Sequence, residues 1–209
     1  MKKKLLHIIA TPREEESRTL KVSEAFLEEF RKKHPDWVID ELNLAKTTLP
    51  SLSQRRVDGK YMLLSGKNLF GEMKELWNEI VTEIERFKTA DLYLVTTPMW
   101  NFSIPYTLKH YIDIIVQPKY LFQYKEDGTT EGLVKGKKMV VAASRGGQYQ
   151  PGSSYDFQET YLRTIFGFIG IEDISFLIAE PMDMGQELRE KKLEQVSEAA
   201  KQLARGLNA

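Results

Sequence analysis

Three short stretches of the chain each combine residue types that could bind a ligand. Residues 11–19 read TPREEESRT and offer three hydroxyl side chains and two arginines, residues 98–102 read PMWNF, and residues 144–147 read SRGG. Hydroxyls and unpaired backbone N–H groups at a helix start can hold a phosphate. Aromatic side chains pack against flat heterocycles, and glycine allows backbone to approach a ligand closely. The three stretches could therefore contact a flat, phosphorylated molecule.

Each stretch also has an ordinary structural interpretation. Ser17 could be only a helix N-cap, residues 98–102 only a hydrophobic turn, and residues 146–147 only a tight turn. The run Glu14 to Glu16 counts against a phosphate site, because carboxylates repel phosphate unless they point into solvent. The choice between the interpretations depends on whether the fold brings the three stretches together.

The elements that must position these stretches alternate in type. Segments of strand length predict strands at residues 5–10, 92–97, 138–143 and 174–178, and an alternating apolar and polar pattern predicts another at residues 37–44. Apolar residues at helical spacing predict helices at residues 17–33, 69–87, 106–116, 160–169 and 187–207. Residues 47–66 have no clear period and contain Pro50 and Gly59, so they are expected to form a loop with short helical pieces.

Strands that alternate with helices predict an α/β fold with a parallel sheet, helices on both faces and right-handed crossovers. The economical arrangement is a doubly wound five-stranded sheet of order 2-1-3-4-5, in a single domain over residues 1–209. Ligands of such sheets bind beyond the carboxyl ends of the strands. Because the three stretches follow strands one, three and four, they are expected to meet at one edge.

Composition narrows the classes of function. The 30 basic and 30 acidic residues cancel, so no overall charge attracts nucleic acid or an anionic membrane. Cysteine is absent, and the spacing of His7, His34 and His110 is not that of metal ligands, so no metal site is expected. The apolar run after Lys4 is too short for a signal peptide or a membrane span, which favours a soluble, cytoplasmic protein.

Together, the motifs resemble those of the FMN-dependent NADH azoreductases, also described as NADH:quinone oxidoreductases, in the flavodoxin-like superfamily. The resemblance runs nearly end to end, and the residues that carry it most clearly are Thr11, Ser17, Arg18, Thr19, Pro98, Met99, Trp100, Asn101, Phe102, Ser144, Arg145, Gly146 and Gly147. Thr11 stands where serine is usual and Trp100 where tyrosine is common. These departures preserve a hydroxyl and an aromatic face.

The resemblance implies that these residues bind FMN, with its phosphate on the first stretch and its ring between the other two. It implies hydride transfer from NADH or NADPH to FMN and then two-electron transfer to a quinone or an aromatic azo compound. One pocket used in turn by donor and acceptor predicts ping-pong kinetics. It also implies a homodimer whose active sites lie at the subunit interface. No catalytic side chain is expected because the flavin carries the chemistry. The backbone N–H groups of Gly146 and Gly147 are expected to stabilise negative charge on the reduced ring.

The segment Gln117 to Gly132 has two interpretations. Its aromatic residues Tyr120 and Phe122 could line the substrate pocket over the open face of the ring, or they could pack in a dimer. Two alternatives to an enzyme are a flavodoxin-type electron carrier and a flavin-binding redox sensor. Carriers tend to be shorter and strongly acidic, whereas this chain is neutral, and no segment dedicated to a sensor's partner is evident.

Overall fold

The centre of the molecule is a parallel sheet. The computed structural model describes residues 2–150 and 152–208. In chain order its strands are β1 (Lys4–Ile9), β2 (Val38–Asn43), β3 (Leu92–Pro98), β4 (Phe122–Tyr124), β5 (Thr130–Gly132), β6 (Lys138–Ser144) and β7 (Asp173–Ala179). Five of them form the sheet in the order β2-β1-β3-β6-β7, and every neighbouring pair is parallel. Numbered among themselves, these strands have the predicted order 2-1-3-4-5, which is confirmed.

Helices cover both faces of this sheet, as predicted. They are α1 (Arg18–Lys33), α2 (Gln54–Leu64), α3 (Gly71–Lys88), α4 (Tyr106–Ile115), α5 (Phe157–Phe168) and α6 (Gln186–Gly206). Helices α1 and α6 pack together over one face, while α3, α4 and α5 contribute to the core on the other face. Strand β3 serves both cores, because Leu92 and Leu94 point to the first and Tyr93 and Val95 to the second. This alternation buries the strand on both sides.

Helix α2 corrects the prediction of a loop with short helical pieces. It is continuous over eleven residues and packs on α3. Its buried residues, Arg56, Gly59 and Leu63, recur at helical spacing, but two of the three are not hydrophobic. Gly59 packs closely on α3, since a Cβ atom there would lie 3.2 Å from Met73 Sδ and 3.3 Å from the Trp77 ring. Because the buried face of α2 is mostly not hydrophobic, its sequence lacks the apolar residues at helical spacing that would have predicted a continuous helix.

The segment Gln117 to Gly132 contains a short antiparallel hairpin of β4 and β5. At Gly132 the backbone of this hairpin packs directly against the backbone that follows α5. A Cβ atom at position 132 would lie 2.3 Å from the Gly170 nitrogen and from the Ile169 carbonyl carbon. The Val134 N–H donates to the Ile169 carbonyl at 2.8 Å nearby. Two backbone segments therefore touch where only glycine fits.

Gly132→Ala should destabilise the protein by about 3 kcal/mol, since the added methyl group meets backbone that cannot rotate away. Chemical denaturation should show the loss of unfolding free energy. Gly167→Ala is a matched control in the adjoining helix, because a Cβ atom there meets nothing within 4 Å. Equal stability of the two variants would contradict the proposed close packing.

Candidate functional site

Backbone hydrogen bonds hold the three predicted stretches side by side. The Ala10 N–H donates to the Thr96 carbonyl at 2.8 Å, and the Met99 N–H donates to the Ser144 carbonyl at 2.8 Å. Pro98 and Ser144 are partners in the parallel register of β3 and β6. The carboxyl ends of β1, β3 and β6 thus form one continuous edge.

A cavity of about 190 Å³ opens at this edge. Of the predicted site residues it is lined by Thr11, Ser17, Arg18, Thr19, Pro98, Met99, Trp100, Ser144, Arg145 and Gly146. Asn101, Phe102 and Gly147 are adjacent in sequence but do not line it. Trp100 and Gly146, which follow β3 and β6, therefore line the same cavity.

Hydroxyl groups gather at the end of the cavity nearest α1. The Thr11 hydroxyl donates to Ser17 Oγ at 3.1 Å, and Thr19 Oγ1 lies 2.6 Å from Ser144 Oγ. Ser17 is also the N-cap of α1, because its side chain accepts from the Leu20 N–H. The first N–H groups of a helix have no intrahelical acceptor and carry the positive end of the helix dipole. This end of the cavity is suited to an anion.

The run Glu14 to Glu16 lies outside the cavity. It forms a single 3-10 turn whose side chains are all exposed. Glu14 pairs with Lys46 at 2.7 Å, and this contact holds the pKa of the Glu14 carboxyl below its usual value. The three carboxylates point into solvent rather than into the anion end of the cavity.

A tight turn sets the direction of Trp100. Trp100 and Ser103 exchange both of their backbone hydrogen bonds, at 2.9 and 3.0 Å. The residues between them, Asn101 and Phe102, have φ values of 48° and 69°. Two positive φ values are typical of the type I′ turn. Phe102 is directed to the ring of Tyr155, 5.5 Å away, which accounts for its absence from the cavity wall.

The Arg145 side chain is almost fully buried and is held on the α5 side of its loop. Its guanidinium donates to Gln158 Oε1 at 3.1 Å and pairs with Asp156 at 3.0 Å and with Glu180 at 3.6 Å. Burial raises the pKa of the Glu180 carboxyl. Glu159 lies further from the guanidinium, at 3.9 Å. Arg145 therefore anchors the loop that carries Gly146, and its charge is already shared with three carboxylates.

The carboxyl end of a fourth strand, β7, contributes residues that lie outside the three predicted stretches. Met182 and Asp183, after β7, line the cavity, and both donate their N–H groups to the Gly146 carbonyl at 3.0 Å. Arg13, from the first stretch, also lines it. The predicted parallel sheet could have indicated Met182 and Asp183, because the carboxyl end of its fifth strand must reach the same edge.

Tyr120 and Phe122 are not at this cavity. Phe122 is buried in the core, with its ring 4.7 Å from that of Phe168, and Tyr120 packs partly buried against the same core. In a single chain these two residues support the hairpin that follows α4. Their assignment to a substrate pocket remains a prediction.

Other possible sites offer less. A larger cavity of about 630 Å³ lies where β6 and β7 begin, but its lysines 135, 137 and 138 are paired with carboxylates. Within residues 2–150 and 152–208, no three His, Asp or Glu side chains are gathered for a metal ion.

His7 is buried, with its Nε2 atom 2.8 Å from Thr96 Oγ1. Burial lowers the pKa of His7 to about 3, so its imidazole is neutral. Among the described helices, none has the length and apolar composition needed to cross a bilayer.

Similarity to known proteins agrees with this geometry. The family model for the flavodoxin-like fold matches residues 3–204. An FMN-dependent NADH:quinone oxidoreductase of Nitratidesulfovibrio vulgaris (strain DP4) is 37% identical over 204 residues, which are 96% of this chain and 97% of that protein. A relative with the same description from Desulfotalea psychrophila is 38% identical over 98% of this chain and 97% of its own. The chain belongs to this flavodoxin-like family.

Solved structures of azoreductases share the flavodoxin-like architecture. An azoreductase from Bacillus anthracis str. Sterne superimposes with a TM-score of 0.88 at 26% identity and covers 98% of this chain and 100% of that one. An FMN-dependent NADH-azoreductase from Bacillus anthracis str. Ames Ancestor, solved in complex with FMN, has a TM-score of 0.82 at 29% identity and covers 97% and 99%. The similarity extends over essentially the whole of each chain.

The residues of this flavodoxin-like cavity fit FMN in part. The hydroxyl groups and the start of α1 suit a phosphate, and Gly146 brings backbone to the cavity wall. Pockets that enclose whole ligands usually measure at least about 300 Å³, whereas this cavity holds about 190 Å³. It can enclose the phosphate end, so the ring would lie at the open side beside Trp100, which is 39% exposed.

Gly146→Val should weaken FMN binding about tenfold or more, by overpacking a confined site. A Cβ atom on Gly146 would lie 2.6 Å from Asp183 Oδ2. Because Gly146 and Asp183 both line the cavity, valine is expected to take up space at its wall. Quenching of flavin fluorescence measures the Kd. Gly167→Ala is the control, because Gly167 lies in α5, does not line the cavity, and a Cβ atom there meets nothing within 4 Å. Normal FMN binding by Gly146→Val would show that the SRGG stretch is wrongly assigned.

Proposed function

We propose that this protein is an FMN-dependent oxidoreductase that takes a hydride from NADH or NADPH and passes two electrons to a quinone or an aromatic azo compound. The observation that carries the proposal is the meeting of the hydroxyl groups, Trp100 and Gly146 at one cavity. The descriptions of the relatives and of the FMN complex support the cofactor and the donor. Residues 1–209 act as a single FMN-binding domain in this proposal.

The first stretch holds the phosphate. Thr11, Ser17 and Thr19 offer hydroxyl groups, and the N–H groups of Arg18 and Thr19 lie in the first turn of α1. Such a site needs no catalytic side chain, because it fixes the position of the cofactor and gains affinity from charge-assisted hydrogen bonds.

The other two stretches flank the ring. Trp100 supplies an aromatic face, while the loop after Ser144 supplies backbone. Among the described residues, the N–H groups of Gly146 and Gly147 have no backbone acceptor, so they are free to donate to the ring edge where negative charge develops. When bound, FMN would supply the two-electron chemistry, as hydride acceptor for the nicotinamide and as two-electron donor for a quinone or azo compound that takes up two protons.

The purified protein, supplied with FMN, should oxidise NADH when a quinone is added, without a separate reductase. The loss of NADH absorbance measures turnover, and an azo dye should lose its colour in the same assay. Donor and acceptor use the same opening in turn, so double-reciprocal plots at several fixed quinone concentrations should be parallel. FMN without protein is the control. NADH oxidation that required an added reductase would identify an electron carrier instead and overturn the proposal.

We also propose that two copies associate through the open side of the cavity. Phe102, Tyr106, Tyr155 and Phe157 are each between 47% and 76% exposed. Three of them are connected, since the Phe157 N–H donates to the Phe102 carbonyl and the ring centroids of Phe102 and Tyr155 lie 5.5 Å apart. Exposed aromatic clusters of this kind mark interaction surfaces. A second copy would also enclose the ring that one chain leaves open.

Phe157→Glu should convert the dimer to a monomer, because association would bury an unpaired carboxylate. Light scattering coupled to size-exclusion chromatography gives the mass. Val38→Glu is the control, since Val38 is similarly exposed but begins β2 at the opposite edge of the sheet. A monomeric parent protein, or dissociation by both variants, would contradict this interface.

A further inference from the structure

Arg18 and Asp183, which both line the proposed FMN site, form an ion pair. Arg18 Nη1 lies 2.6 Å from Asp183 Oδ1 and donates to the Met182 carbonyl at 2.9 Å. The second carboxylate oxygen, Oδ2, lies against Gly146, 2.6 Å from the position that a Cβ atom would take. Asp183 therefore lies between the phosphate end of the cavity and the loop assigned to the ring.

The position of Arg18 explains why it has an anionic partner. Arg18 is the first residue of α1, where the positive end of the helix dipole disfavours a cation. A carboxylate next to its guanidinium offsets this repulsion. In this structure Asp183 provides the negative charge that a phosphate would provide at the same helix end.

The same carboxylate opposes a phosphate. Two anions within several Å repel each other, and the pairing of Arg18 with Asp183 leaves its positive charge already compensated. The ion pair is accessible to water, with side-chain exposures of 26% for Arg18 and 66% for Asp183. Pairs this exposed contribute little to stability and separate readily.

We propose that Asp183 is a latch that competes with the phosphate of FMN for Arg18. Without the ligand, Arg18 holds Asp183 against Gly146. On binding, the guanidinium turns to the phosphate, and the Asp183 side chain moves out of the cavity into solvent. The proposal rests on the proposed function, and it assigns Asp183 a role that lowers cofactor affinity and acts on the phosphate alone.

The test compares two flavins that differ only by the phosphate. Quenching of flavin fluorescence gives Kd values for FMN and riboflavin, measured on the full-length parent chain and on Asp183→Asn, with Asp183→Ala as a second variant. Asp173→Asn is the matched control, because Asp173 is 61% exposed and paired with Lys138 at the start of β7, at the other edge of the sheet. It removes the same charge far from the cavity.

Asp183→Asn and Asp183→Ala should bind FMN about five- to tenfold more tightly at low ionic strength. The gain should shrink as salt screens the charges. Riboflavin affinity should not change, and Asp173→Asn should match the parent for both flavins. Equal or weaker FMN binding by both Asp183 variants would overturn the latch, as would an equal gain for riboflavin. Failure of the parent to bind either flavin would instead remove the proposed function.

Discussion

The parallel direction of the five strands is the constraint on which the site depends. Right-handed crossovers return each strand in the same direction, so every carboxyl end reaches one edge of the sheet. Backbone groups that leave the ladder there need other partners, and neighbouring loops supply them, as the bond from Met99 to Ser144 and those from Met182 and Asp183 to Gly146 illustrate. The cavity is therefore largely a product of backbone pairing, and the side chains that line it are held by that pairing.

The buried charge of Arg145 holds the loop that carries Gly146 and Gly147 in place. The guanidinium of Arg145 is surrounded by Asp156, Gln158 and Glu180, which come from α5 and from the end of β7. Removing one member of such a cluster leaves the others uncompensated in a dry environment, at a typical cost of about 3–5 kcal/mol. The sequence motif suggested that Arg145 touches the ligand. In the structure Arg145 lines the cavity, and its buried guanidinium also holds the backbone of Gly146 in place through these partners.

The fold was more predictable from sequence than the site. Strand order followed from apolar runs that can be read directly, whereas α2 was missed because Arg56 and Gly59 replace hydrophobic residues on its buried face. Helix α5 begins three residues before its predicted start because Asp156 caps it, accepting from the Glu159 N–H. The part played by Asp183 could not be read from spacing, since it depends on how a loop far along the chain folds back onto Gly146.

The turn after β3 explains why an amide lies between two aromatic residues at the exit of a buried strand. Asn101 tolerates a positive φ, but the same geometry at Phe102 carries a backbone strain of about 1–3 kcal/mol. Hydrogen bonds from Ser103 to Trp100 and from Phe157 to Phe102 hold the turn in place. Because the chain reverses direction in this turn, the two aromatic side chains point in different directions. Trp100 lines the cavity, and Phe102 lies among the exposed aromatic residues. A four-residue turn with strain at Phe102 thus connects the proposed cofactor site to the proposed interface, so the two surfaces cannot be positioned independently.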